Sequence, residues 1–285
     1  MHLVNIRTLA AAALFSVATA GFAAGGNFDR TLSVSGQADL YVSTGSGHIH
    51  VYPGQGNEIH VTAHVYSGWN AGDDVEERIR RIVANPPIQQ SGNSVHVGET
   101  DDRRLFNNIT IDYEISVPKT VALNLRSGSG DVEIDNVGRF LHAETGSGSI
   151  RAHGIAGPAE IHTGSGDVEL QQASAGDVKT STGSGSIRIN GLDGGLTART
   201  GSGDIEANGQ LIGAAKLQSG SGSIRMHLGH DARFNLDAAT GSGSIRVSQP
   251  GAPMLSGEHH HLSAQVNGGG PSLEAHTGSG DIEIN

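Results

Sequence analysis

Asp131, Asp167, Asp204 and Asp281 each follow a Gly-Ser-Gly. This echoes the Gly-Gly-x-Gly-x-Asp nonapeptide of calcium-binding β-rolls. In four other copies Ser149, Ser186, Ser223 and Ser244 stand where the acid would be. Calcium takes roughly six to eight oxygens, which such turns do not supply, so these are read as turn and surface residues. Histidine offers a second chemistry, with 15 in the chain. His48 and His50 point the same way along one strand, and Glu258 precedes His259, His260 and His261. Neither group has a second pair of ligands at a recognisable spacing, so both read as surface or loop residues. The motif serines are not nucleophiles either, because none is distinguished from the rest and local hydrogen bonding accounts for a repeated turn Ser. A polysaccharide-degrading enzyme would need an acid/base pair unique within the series and aromatic platforms for sugar rings. From Ser127 onward the only aromatics are Phe140 and Phe234, and the acids alternate with arginines. No catalytic, cofactor or metal residue is assigned. Binding is left to the aromatics of the N-terminal third, Tyr41, Tyr52, Tyr66 and Trp69, because large aromatic side chains dominate interface energetics.

These residues are positioned by a repeat. Thr/Ser-Gly-Ser-Gly begins at Thr44, Ser127, Thr145, Thr163, Thr182, Thr200, Ser219, Thr240 and Thr277. From Ser127 the spacings are 18, 18, 19, 18, 19 and 21, and the last gap is 37. A fixed period of this size signals a stack of similar units. After each motif comes a strand-like alternation such as Asp131-Val132-Glu133-Ile134, and a second one, such as Leu141-His142-Ala143-Glu144, ends the unit. The inward pair of that second alternation usually joins one large and one small side chain, as a thin core of constant volume requires. Each unit therefore makes two short strands and two turns.

The expected fold is all-β: a single-stranded parallel β-solenoid, right-handed and β-helix- or β-roll-like, with 18–19 residues per coil. The rival is an antiparallel meander, since Gly-Ser also makes hairpin turns. The outward row Glu133, Arg151, Glu169, Arg188, Glu206, Arg225 favours parallel stacking, which sets opposite charges side by side. Arg246 spoils the row, following Arg225 with no acid between them. The inward row Val132, Ile150, Val168, Ile187, Ile205, Ile224, Ile245 is expected to stack in consecutive coils. A left-handed hexapeptide helix would demand apolar residues where Gly138 and Glu144 stand.

Residues 1–24 read as a secretory signal peptide, with Arg7, an apolar run from Leu9 to Ala20 and small residues beyond. Export to the periplasm, cell surface or medium follows, with no transmembrane segment after cleavage. There are no cysteines, so no disulfide forms. A net charge of −11 argues against nucleic acid and anionic lipid surfaces. Residues 25–126 are a divergent β region with one helix over 73–84, carrying Val75, Ile79, Ile82 and Val83 and covering an edge or end of the stack. Residues 127–285 are the regular repeats, continuous with it. Between 248 and 272 the pattern lapses into a degenerate coil or a loop.

Ser116-Val117-Pro118, then Val121-Ala122-Leu123-Asn124-Leu125-Arg126-Ser127-Gly128-Ser129-Gly130-Asp131-Val132-Glu133-Ile134 and serial Gly-Ser-Gly units resemble the bacterial putative-adhesin β-strand-repeat family. The resemblance spans nearly all of 28–285. It implies an exported β-solenoid, a domain of unknown function associated with adhesion or the envelope, and it supplies no catalytic residues. The expected function is non-catalytic interaction with an envelope component, a surface protein or a glycan. A structural or stress-related envelope protein without adhesion is the alternative, ahead of a polysaccharide-active enzyme or a calcium roll.

Overall fold

The computed structural model describes residues 25–68, 72, 74–100, 102–249 and 260–285. The expected signal peptide, Trp69, Glu258 and His259 lie outside them. The molecule is all-β, and one continuous 22-stranded sheet winds into a nearly closed, solenoid-like shape of mixed strand order. Each repeat contributes one strand to each of two facing walls, because the motif turn reverses the chain after every short apolar alternation.

The first wall runs Ser94–Val97, Asp39–Thr44, Ala122–Ser127, Phe140–Thr145, Ala159–Thr163 and Val178–Thr182. It continues through the second halves of Ile187–Thr200 and Ile205–Ser219 to Ser272–Ser279 and Phe234–Ser242. The second wall runs Ile109–Val117, Ile49–Pro53, Val132–Asp135, Ile150–Ile155 and Val168–Gln172. The first halves of Ile187–Thr200 and Ile205–Ser219 follow, then Ile224–Leu228, Ile282–Ile284 and Ile245–Val247. All these pairings are parallel. Val132 lies beside Ile150 in register, which a single antiparallel meander does not allow.

The antiparallel strands sit at the ends. Glu58–Ser67 runs antiparallel to Ile109–Val117 and is itself paired with Gly25–Ser33, while Ile88–Ser91 covers Ser94–Val97. The helix Val75–Ala84 buries Ile79 and Ile82 and packs against Gly25–Ser33 and Glu58–Ser67. At the other end His261–Val266 returns antiparallel along Phe234–Ser242 as a covering strand. Both ends of the first wall thus finish in reversed strands, a device that blunts edges otherwise open to further pairing.

The order of the coils departs from chain order at both ends: the strands of 94–97 and 109–117 stack outside those of 39–44 and 49–53, and the last coil is displaced as well. Ile224 pairs with Ile282, and Ile282 pairs with Ile245. The inward row is therefore not consecutive as expected: the last coil, from 272 to 284, inserts between the two that precede it. The insertion puts Glu283 between Arg225 and Arg246 and supplies the acid that the linear sequence lacks. The inward residues of this row, Val132 through Ile245 with Ile282 included, are 0–5% exposed. Their walls close on Leu141 with Ala143, Ala159 with Ile161, and Leu196 with Ala198, the large–small pairing of the sequence.

Candidate functional site

The polar groups of the repeats are engaged with the coil next door. The first residue of each motif points inward. Thr163 Oγ1 donates to Gly148 O (2.7 Å) and accepts from Gly166 N–H (3.1 Å). Ser127, Thr145, Thr182, Thr200 and Ser219 repeat the arrangement, each with its oxygen on the neighbouring coil's glycine carbonyl. Turns stack so closely that a β-carbon on Gly166 would lie 1.9 Å from Gly148 O. The invariance of the motif follows from this packing: a small residue lets two backbones meet, and the hydroxyl satisfies a buried donor and acceptor that no ladder reaches.

The acids that resemble calcium ligands form a second ladder. Asp131 Oδ1 accepts from Ser149 N–H, Asp167 Oδ1 from Ser186 N–H, Asp204 Oδ1 from Ser223 N–H and Asp281 Oδ1 from Ser244 N–H, all at 2.8 Å. Asp and Ser alternate coil by coil, so consecutive aspartates are two strand spacings apart, about 9–10 Å. One calcium ion, with Ca–O distances near ~2.4 Å, cannot bridge two of them. The bond to Ser244 N–H, with a second from Ser244 Oγ, holds the exposed Asp281 carboxyl below its ordinary 3.8.

The outward charge row reads Glu114, His50, Glu133, Arg151, Glu169, Arg188, Glu206, Arg225, Glu283, Arg246 in spatial order. Acid and base alternate without a break. Direct contact is more varied than the row suggests. Arg188 meets Glu206 at 3.4 Å, but Arg151 reaches Asp131 (3.7 Å) and Arg225 reaches Asp204 (3.5 Å). On the opposite wall Glu160 meets Lys179 Nζ at 2.6 Å, and this hydrogen bond leads the causes that lower its carboxyl below 4.5. These pairs are solvent-facing, and each contributes no more than about 1 kcal/mol.

The His48 and His50 rings have different partners: His48 Nδ1 accepts from the Asp131 backbone N–H at 3.3 Å, and His50 Nε2 lies 3.0 Å from Asp135 Oδ2. The His48 backbone N–H donates to Asp112 Oδ1 at 2.8 Å. His261 Nε2 lies 2.9 Å from Asp237. No group of three or more His, Cys, Asp or Glu able to hold a metal ion occurs among the described residues.

Among the described residues, Tyr41, Tyr52 and Tyr66 do not converge. Tyr41, on the first wall, stacks on His96 with ring centroids 4.5 Å apart at 7°. Tyr52, on the second wall, tilts against His50 at 5.2 Å. Tyr66 is 37% exposed and donates its hydroxyl to Asp112 Oδ2 at 3.1 Å. Its phenol is raised above 10, first by burial and then by that carboxylate. Tyr52 pairs with Ser116 and Tyr66 with Thr110, six residues apart on one strand, or about 20 Å. Tyr113, which was not among the aromatics singled out from the sequence, is buried, and its hydroxyl has no hydrogen-bonding partner.

Among the described residues no helix is long and apolar enough to cross a membrane. The chain is similar to a cell adhesion protein structure from Clostridium sporogenes at 11% identity, covering 91% of this chain and 98% of that one with a TM-score of 0.25. It is similar to an adhesin structure from Bacteroides fragilis at 14%, covering 91% and 97%, with a TM-score of 0.25. A lipid binding protein structure from Parabacteroides distasonis matches at 13%, covering 91% and 96%, with a TM-score of 0.30. All three are provisional designations, and at these scores they carry no argument about function. No curated protein sequence matches the chain. The Toastrack DUF4097 model matches residues 38–285, the span that holds every Gly-Ser-Gly coil described above. The chain belongs to the Toastrack DUF4097 family.

Proposed function

We propose that this protein is an exported, non-catalytic interaction module of the cell envelope or surface. In this reading the fold is a right-handed parallel β-solenoid whose repeats are a rigid scaffold. One observation carries it: the repeat hydroxyls, aspartates and charged rows are bonded between coils, where they hold the stack together. A nucleophile or general acid needs a group distinguished from its neighbours by its environment, and the ladders repeat one environment along the molecule. Contact with an envelope component, a surface protein or a glycan then falls to the N-terminal third. Tyr41, Tyr52 and Tyr66 lie partly exposed there, on two walls, and Trp69 belongs to the same stretch of sequence.

The test is retention of the purified mature protein on isolated envelope material and on host-type surfaces. Alanine variants of Tyr41, Tyr52, Tyr66 and Trp69 are compared with Arg188→Ala, each checked for an unchanged melting curve. Weaker retention of one or more aromatic variants, with Arg188→Ala unaffected, is the expected result. Equal retention of all five removes the aromatic contact. Glycan turnover by the wild type, abolished by one acidic substitution, replaces the reading with an enzyme. Failure to leave the cytoplasm on fractionation overturns export.

A further inference from the structure

The coil inserted near the end of the stack lacks the turn that the other coils have on one edge. Ile224–Leu228 and Ser272–Ser279 both pair with Ile205–Ser219, so a turn joining them would close that level. The chain makes no such join. After Leu228 it runs through 229–233 to Phe234, on the far side of Ser272–Ser279. Elsewhere on this edge the turns lie backbone on backbone. A β-carbon on Gly157, Gly176, Gly194 or Gly213 would come within 3.0 Å of the turn before it. Beyond Gly213 the column breaks, and a β-carbon on Gly229 would meet nothing within 4 Å. Stacking resumes at Gly270, where a β-carbon would lie 2.4 Å from Arg233 O.

The break is a cavity of about 520 Å³. Leu211, Ile212, Ala232 and Pro271 give it apolar walls, and Asp231 and Arg233 line it too. Ile212 is 63% exposed, more than any other large hydrophobic side chain among the described residues. The backbone here is open as well. Gln210 and Leu211 pair with Asp193 and Gly194 on one side, whereas on the other 210–214 have no strand partner among the described residues. An apolar side chain beside an unpaired backbone edge is what an added strand covers. Other coils fill this place with three to five residues: 156–158, 136–139 or 173–177. Asp231 and Arg233 are exposed and enter no ion pair among the described residues, so a free charge of each sign stands at the rim.

We infer that this slot binds an extended peptide segment of a partner protein. The segment is as long as the turns it replaces, three to five residues. It pairs with the backbone of 210–214, lays an apolar side chain on Ile212, carries a charge of each sign for Asp231 and Arg233, and has glycine where it crosses Gly213. The slot lies toward the other end of the stack from Tyr41 and Tyr52, and binding here does not depend on contact there.

The probe is a fluorescein-labelled peptide, Lys-Leu-Gly-Val-Glu with blocked ends, titrated into the mature protein and read by anisotropy. Saturable binding is expected. An analogue N-methylated throughout keeps the side chains and loses the backbone donors, and should bind at least about tenfold more weakly. Ile212→Asp should weaken binding by about tenfold or more. Its melting curve should not change, because the side chain is already exposed. Phe140→Ala trims the other exposed large hydrophobic of this edge, after the 136–139 turn, and should bind like the wild type. Four results overturn the assignment: no peptide binding, equal binding of the N-methylated analogue, a loss in Ile212→Asp no larger than in Phe140→Ala, or binding that appears only when 250–259 are replaced by a glycine-serine linker. The last would mean that the chain's own residues after Gln249, whose Nε2 meets Leu228 O at 3.4 Å, already take the slot.

Discussion

Thr163→Val and Thr180→Val make the same chemical change at two inward positions, 0% and 2% exposed, and should move stability in opposite directions. Valine keeps the shape of threonine and replaces the hydroxyl by a methyl group. At position 163 the lost oxygen leaves two groups behind: Gly148 C=O, which it met at 2.7 Å, and Gly166 N–H, which it accepted at 3.1 Å. Both lie where turns stack backbone on backbone and water has little room. Each orphaned buried group costs about 1–3 kcal/mol, so the substitution should destabilise by roughly 2–5 kcal/mol. At position 180 the hydroxyl is buried with no partner. Removing it relieves a desolvation cost, and the change should be neutral or stabilising by up to about 1 kcal/mol. Urea unfolding of the two variants beside the wild type measures both. Loss of stability of equal size in the two would refute the view that the motif hydroxyl links coils, leaving only a general dislike of valine in this core.

Deleting 272–285 removes the inserted coil, so amides of 234–247 should lose hydrogen-exchange protection while those of 132–189 keep it; if the coils followed chain order, 234–247 would stay protected. Gly166→Ala should destabilise by more than about 2 kcal/mol, since its β-carbon would lie 1.9 Å from Gly148 O, whereas Gly45→Ala meets nothing within 4 Å and should melt like the wild type. The depressed carboxyls of Asp281 and Glu160 favour the folded state when ionised, so this stabilisation is full above their ordinary 3.8 and 4.5 and is lost as pH falls through the lower folded values. Thermal melting should therefore weaken in acid below about pH 4, and an acid-insensitive midpoint would contradict it. Millimolar calcium or its chelation should leave the melting temperature unchanged, because the aspartates alternate with serines and bind backbone N–H groups; a steep rise with calcium would revive the metal ladder.

The period of 18–19 residues, the two-strand unit and the inward Val/Ile row were legible because each coil is a local pattern of alternating residues and turn glycines. The alternation of Glu133, Arg151, Glu169 and Arg188 was legible too, and it pointed to side-by-side stacking before any coordinates. The parallel alternation of Asp131, Ser149, Asp167 and Ser186 was equally visible. Its meaning was not, because a carboxylate that caps the next coil's N–H and one that awaits a metal look the same in a string of letters. Only the tertiary structure placed the last coil inside the stack. Nothing local distinguishes Ile282 from Ile245, and the choice of neighbour depends on which coil completes the core and which charge faces Arg225. The same holds for the aromatics: proximity in sequence put Tyr41 and Tyr52 together, whereas the intervening motif turn sends them to opposite walls. Tyr113 follows the inward alternation of its strand and so reads as core. That its hydroxyl is left without a partner is decided by the neighbours the fold packs around it, which no local pattern gives.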